Sequence, residues 1–183
     1  LVQAGWCSRG AADVAWMLAT VINGLLLREA LEKEGCPVRL FSMIPVEGFV
    51  ERYAAPEVAA SLGEQRVVLL SGGTGLPYLT TDTAAALMAL QIGAQVLLKA
   101  TKVDGVYEAD PVSCAGAQKM ERIEALEVLR KRLGIMDLSA VALCGENGLP
   151  VVVSSLDQPD AIREVLEGRI VGSIILPFGN QKG

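Results

Sequence analysis

SGGTGLPYLTTD, residues 71–82, follows the aliphatic run VVLL at 67–70 and leads into the apolar pattern TAAALMALQI at 83–92. A glycine-rich turn between a strand and a helix is a place where backbone N–H groups can face an anion. KATKVDGVYEADP, residues 99–111, follows a second aliphatic run, QVLL at 95–98. It brings two lysines and several carboxylates close together in sequence. Strand, helix, strand is the signature of a βαβ unit with a parallel sheet. The lack of alternation in VVLL predicts burial on both faces. The pair of loops points to phosphate handling at strand ends.

Working outward, residues 11–34 predict a long helix. Val14, Met17, Leu18, Val21, Ile22, Leu25 and Leu26 recur at three- and four-residue spacing, and Gly35 followed by Pro37 ends the element. Its apolar stripe is wide enough to predict contact on two sides, one of them a subunit contact. Asp13 in the first turn reads either as a helix-dipole residue or as a polar group aimed into a site. Further elements are predicted as strands at 38–43, 66–70, 95–99, 119–123, 150–154 and 173–176. Helices are predicted at 56–62, 83–92, 124–133, 137–146 and 158–167, with Asp137 as an N-cap and Thr80, Thr81 or Asp82 capping the helix after the glycine loop. The tail from 177 reads as frayed. The alternation predicts one three-layer α/β/α domain over 1–183 with a mainly parallel sheet.

Composition narrows the chemistry. With 51% apolar residues in 183, a sizeable core can form, filled by aliphatics because aromatics make up 4%. A net charge of −5 and a pI near 4.8 argue against a general nucleic-acid binder. The chain has no histidine, which removes His-based triads and His metal sites. The four cysteines, Cys7, Cys36, Cys114 and Cys144, form no C-x-x-C pair and read as reduced thiols of a cytoplasmic protein. The apolar run at 14–27 is shorter than a membrane span, and no signal peptide precedes it.

In the loops, Gly72, Gly73 and Gly75 permit positive φ, but the pattern is neither G-x-G-x-x-G nor a Walker loop. A tight strand–helix connection explains it as well as a ligand does. Lys99, on a buried strand, needs an anionic partner: a phosphate chain, or a carboxylate such as Asp82 or Asp104. Tyr107, after the Asp104-Gly105 turn, reads either as an exposed base-stacking ring or as a ring packed over its loop.

The stretch GTGLPYLTTDTAAALMALQIGAQVLLKATKVDGVYEADP at 73–111 closely resembles the core of bacterial-type uridylate (UMP) kinases, of the amino-acid kinase fold family. The likeness extends to MLATVINGLLLREAL at 17–31 and GIMDLSAVAL at 134–143. The resemblance implies phosphoryl transfer from ATP to UMP with Mg²⁺. It implies catalytic roles for Asp82 and Lys99. It implies UMP contacts from Asp13 and from the loop Thr74, Gly75, Leu76, Pro77, Tyr78, Leu79, Thr80 and Thr81. Thr101, Tyr107 and Asp110 become the ATP contacts, with Tyr107 near the adenine. Lys102 and Asp104 belong to the same loop, and no protein residue is assigned to a metal. It further implies a cytoplasmic homo-oligomer, a hexamer, with no membrane or nucleic-acid partner.

Three departures stand out. The family's N-terminal lysine strand and first phosphate loops have no counterpart in this sequence, so the domain is expected to be N-terminally incomplete. Leu76 stands in place of the usual Asn, and Trp16 in place of a helix Gly. These departures leave three other outcomes open: a nucleotide-binding or storage relative without kinase activity, a kinase of the same fold acting on a carboxylate or carbamate, and an inactive truncated paralogue.

Overall fold

The structure is a computed structural model that describes residues 5–108, 114, 116–169 and 171–179. The chain divides into two compact units, Leu1–Ala84 and Ala85–Gly183.

The first unit opens with α1, Arg9–Lys33. The Ser8 side chain caps it by accepting the Ala11 N–H at 3.3 Å. Gly35 takes φ +76 just past its end, and the Cys36 N–H returns to the Leu31 carbonyl at 3.0 Å. Then come β1 (Val38–Ser42), β2 (Glu51–Arg52), α2 (Ala55–Gly63) and β3 (Val67–Ser71). The three strands form a parallel sheet in the order β2-β1-β3, with Val38 opposite Val67 and Ser42 opposite Ser71. Val21, Leu40 and Val50 form the buried centre, with Leu25, Val46 and Leu69 packed against it. A Cβ on Gly24 would stand 2.9 Å from Leu40 Cδ1, so that glycine sets how closely α1 approaches the sheet.

The other side of α1 is not covered by the described residues. Val14, Leu18, Ile22 and Leu26 form an exposed row at four-residue spacing, Ile22 at 60% and Leu26 at 63%. By length and composition α1 reaches the threshold for crossing a membrane, contrary to the expectation from its shorter apolar run. Its inner face nevertheless packs on β1 and β3 as a core helix does.

The strand β3 departs from the expected two-sided burial. Val67 is 42% exposed and Val68, Leu69 and Leu70 are half-buried, whereas β1 is mostly buried. The reason is position: β1 lies between two strands and β3 is last in the order.

The division between units falls inside α3, Thr81–Gln91. It is followed by β4 (Leu97–Thr101), β5 (Val106–Tyr107), β6 (Lys119–Met120), β7 (Arg122–Glu124), α4 (Ala125–Lys131), α5 (Leu138–Glu146), β8 (Val151–Ser155), α6 (Ala161–Leu166) and β9 (Ser173–Leu176). The main sheet has the order β4-β8-β9-β7, and β8–β9 is its one antiparallel pair. Since β3 pairs with β1 and β4 pairs with β8, α3 joins strands of two different sheets rather than neighbours of one.

The strand expected at 119–123 splits in two. β6 makes a small antiparallel pair with β5, and β7 joins the main sheet beside β9. Val106, Ile123, Val128, Val141, Val153 and Ile175 centre the core of this unit. Asp137 caps α5 as expected, taking the Ala140 N–H at 2.9 Å. The tail is not frayed as far as it is described: the Phe178 N–H donates to the Gly145 carbonyl, and the Phe178 ring lies over Gly145.

The cysteines are free thiols, as expected. Burial pushes the Cys144 thiol up to about 11. Only the thiolate is a good nucleophile. A thiol reagent at pH 8 is therefore expected to label exposed Cys114 in the native protein and to leave Cys144 untouched until denaturant is added. Peptide mass spectrometry reads this directly, and native-state labelling of Cys144 would contradict its burial.

Candidate nucleotide site

The loop after β3 is built by four residues in the left-handed region: Gly72 at φ +79, Gly73 at +58, Gly75 at +75 and Tyr78 at +70. Glycine is required at the first of these. A Cβ on Gly72 would lie 2.5 Å from Ser42 Oγ and 2.9 Å from the Ile44 nitrogen. Tyr78 has no such freedom, and a bulky residue at positive φ costs roughly 1–3 kcal/mol. It is held there by α1, because its N–H donates to Asp13 Oδ2 at 2.8 Å. Arg9 adds an ion pair to the same carboxylate at 3.5 Å and lies 5.9 Å from the Tyr78 ring centroid.

A second tie secures the start of the loop. The Gly72 N–H donates to Thr20 Oγ1 at 2.9 Å, and that hydroxyl donates to the Met17 carbonyl at 2.7 Å. Thr74 is buried and closes on its own loop. Its Oγ1 accepts the Leu76 N–H and donates to the Leu76 carbonyl. Gly75 N–H returns to the Gly72 carbonyl. The N–H groups of Gly72, Gly75 and Leu76 thus hold the loop together rather than facing an anion. Thr80 ends the loop as the cap of α3, accepting the N–H groups of Asp82 and Thr83. Asp82 sits half-buried in the first helical turn.

These ties imply a measurable cost. Thr20→Val keeps the shape of the side chain but leaves the Gly72 N–H without its acceptor. An orphaned amide of this kind costs about 1–3 kcal/mol. Urea unfolding is expected to show that loss for Thr20→Val and little for Thr20→Ser. Equal stability of the three proteins would remove the tie from the account.

Between loop and helix lies a cavity of about 290 Å³. Of the residues proposed from sequence for UMP, it is lined by Asp13, Leu79, Thr80 and Thr81. Thr74 faces its own loop, and Gly75, Leu76, Pro77 and Tyr78 are not on the cavity wall. Trp16 and Gly73, both singled out from the sequence, line it too, and Arg9, Met17 and Thr20 line it and were missed. The signal was available: Arg9, Asp13, Trp16 and Thr20 are three or four residues apart in succession, and Met17 is four from Asp13, which puts all five on one helix face. Asp13 lies past the first turn of α1, which starts at Arg9 and holds no acidic residue there, so the helix-dipole reading does not hold and the carboxylate instead joins helix, loop and cavity.

In the second unit, Lys99 lies half-buried in β4, opposite Val153 of β8. Thr101 ends the strand, and its carbonyl accepts the Leu156 N–H at 2.7 Å. Tyr107 is neither fully exposed nor free: its hydroxyl donates to Asp104 Oδ1 at 2.7 Å. Lys119 Nζ donates to Asp104 Oδ2 at 2.9 Å. Lys119 first, then the Tyr107 hydroxyl, holds the Asp104 carboxyl below its ordinary value, and the same hydrogen bond raises Tyr107. The Tyr107 ring lines a cavity of about 550 Å³ together with Val103, Arg132, Leu133, Gly134 and Ile135. Thr101 is not among its walls, Lys102 is exposed, and Asp110 lies outside the described residues. Lys131 and Glu108 line it too, so its polar walls carry both signs of charge beside the apolar ones, and a pocket of this size and mixture can take a polar ring.

Comparison with known proteins gives the family. Residues 3–155 match the Amino acid kinase family. A uridylate kinase of Legionella pneumophila (strain Corby) is 44% identical over 175 residues, covering 96% of this chain and 71% of that protein. A uridylate kinase of Pseudomonas aeruginosa is 42% identical over 174 residues, with 95% and 71% covered. Among solved structures, a UMP kinase from Bacillus anthracis superposes with a TM-score of 0.92 at 30% identity, covering 95% of this chain and 72% of its own. A UMP kinase from Ureaplasma parvum gives a TM-score of 0.85 at 35% identity, with 92% and 72% covered. The α/β/α class read from the sequence stands on these matches.

Proposed function

We propose that this chain, which belongs to the amino acid kinase family and within it to the uridylate kinases, transfers the γ-phosphoryl group of ATP to UMP, giving ADP and UDP. The observation that carries this is the identity of 42–44% across nearly the whole chain with uridylate kinases of two bacteria. One family match runs through both units, which supports treating them as one catalytic domain.

An oxygen of the UMP phosphate attacks the γ-phosphorus of ATP, and the bond from that phosphorus to the β,γ-bridging oxygen breaks. Such a transfer asks the protein mainly for positioning and charge stabilisation. In this reading the Lys99 ammonium balances charge that grows on the transferring group. Asp82 is the carboxylate that orients the charged groups of the reaction. Asp13 accepts hydroxyl protons of the UMP ribose from the cavity under the glycine loop. The cavity beside Tyr107 takes the adenine of ATP.

Mg²⁺ would arrive on the ATP phosphates and neutralise part of their charge. Among the described residues no three Asp, Glu, His or Cys side chains gather to hold a metal. Mg²⁺ keeps several of its waters and asks the protein for one or two carboxylates, a part Asp82 would fill.

The exposed row Val14, Leu18, Ile22 and Leu26 supports self-association through α1, and the family likeness supports a cytoplasmic homo-oligomer, a hexamer. The test of function is direct. ATP, Mg²⁺ and UMP are incubated with the protein, and ADP and UDP are separated by chromatography. ADP and UDP formed with UMP, and no ADP formed with a carboxylate or carbamate acceptor in its place, support the proposal. UMP bound without UDP formed would replace it by nucleotide binding without transfer.

A further inference from the structure

Trp16 is an apolar ring left in water. It is 69% exposed, yet it stands on the face of α1 that carries Asp13, Met17 and Thr20, all of them walls of the 290 Å³ cavity. It does not belong to the row Val14, Leu18, Ile22 and Leu26, which runs along another side of the helix at 3.6 residues per turn. Leu79 lines the same cavity, so Trp16, Met17 and Leu79 give it apolar lining beside the polar residues Thr80 and Thr81. Asp13 and Trp16 are three residues apart, so their Cβ atoms are about 5–6 Å from each other. That is close to the step from a ribose to its base. A carboxylate accepts hydroxyl protons, and an indole face offers a flat surface to a ring.

We infer that Trp16 is a substrate-positioning residue: its indole stacks on the nucleobase of the bound nucleoside monophosphate while Asp13 holds the ribose. This rests on the proposed UMP site and adds what selects the base. Leaving the cavity empty keeps the indole hydrated, and a stacked base covers it. Stacking on one aromatic ring changes affinity by about tenfold or more.

The chain has two tryptophans, and the other, Trp6, is exposed and off the cavity. Trp6→Phe therefore makes Trp16 the sole indole emitter. This protein is titrated with UMP, with calorimetry run in parallel, and with ribose 5-phosphate as a ligand that lacks the base. The expected result is saturable quenching of Trp16 emission that follows the calorimetric curve for UMP and is absent with ribose 5-phosphate. Trp16→Phe is expected to keep UMP affinity within about threefold and Trp16→Ala to lose tenfold or more.

Calorimetric UMP binding with unchanged emission would overturn the stacking role and leave the proposed function standing. Equal quenching by ribose 5-phosphate, or unchanged or tighter binding by Trp16→Ala, would do the same. No UMP binding at all would overturn both. The quenching arm uses a protein with Trp16 in place, so it decides the matter even if Trp16→Ala fails to fold.

Discussion

Asp82→Asn is expected to lower kcat by at least 10²–10³-fold while leaving the fold intact. The substitution keeps the shape of the side chain and removes one charge. The helix it sits on remains capped, because the cap is the Thr80 hydroxyl. Losing a carboxylate from a first turn costs about 0.3–1 kcal/mol of helix-dipole stabilisation, too little to unfold a domain. Removing one preorganised electrostatic group from a transfer site costs about 2.7–4 kcal/mol of transition-state stabilisation. The loss should fall on kcat rather than on the KM for UMP, since Asp82 is assigned to the transfer and not to binding. Product formation measured beside circular dichroism separates the two effects. Near-normal turnover with a native spectrum would withdraw Asp82 from the mechanism.

Gly172→Ala is expected to be the most destabilising small substitution in the second unit. Gly172 has φ +85, and a Cβ built on it would lie 1.9 Å from the Val153 carbonyl oxygen and 3.0 Å from that of Asp104. Both obstacles are backbone, so no rotamer relieves them. Val153 belongs to β8 and is paired in register with Ser173, the first residue of β9. The neighbouring Ser173 Oγ accepts the Val106 N–H at 2.8 Å and so anchors β5. Relief of the clash therefore means moving β9 off β8 and loosening β5 with it. A loss of about 3 kcal/mol or more is expected, beyond the range of most point mutants. In a chain of this size that lowers the melting temperature by about 6–12 °C. A shift of a degree or two would show that the strand pair can yield.

What the sequence revealed depended on how local the cause was. The long helix was legible because seven aliphatic positions and Gly35 act within a few residues of each other. Asp137 and Thr80 were legible as caps for the same reason. β5 was not, since a two-residue strand leaves no alternation to read, and its anchor on Ser173 lies 67 positions away. VVLL was legible as a strand, but an aliphatic run does not say whether it will be central or last in its sheet. Asp13 and the glycine loop were both singled out. Their connection was not, because it runs through the backbone of Tyr78, 65 residues on, in a conformation that tyrosine seldom adopts. Thr20 is a polar residue inside the apolar run at 14–27, and only the fold shows it holding Gly72.

The position of β3 at the end of its sheet has a bearing on how the protein behaves in bulk. No further strand is hydrogen-bonded to its outer side among the described residues. Val67, Val68, Leu69 and Leu70 carry neither charge nor proline, and the gatekeepers against strand-to-strand sticking are the charges just before them, Glu64 and Arg66. An aliphatic border of this kind offers its backbone groups to another strand. Resistance to association in concentrated solution then rests on the charges beside this border as well as on the net charge of −5.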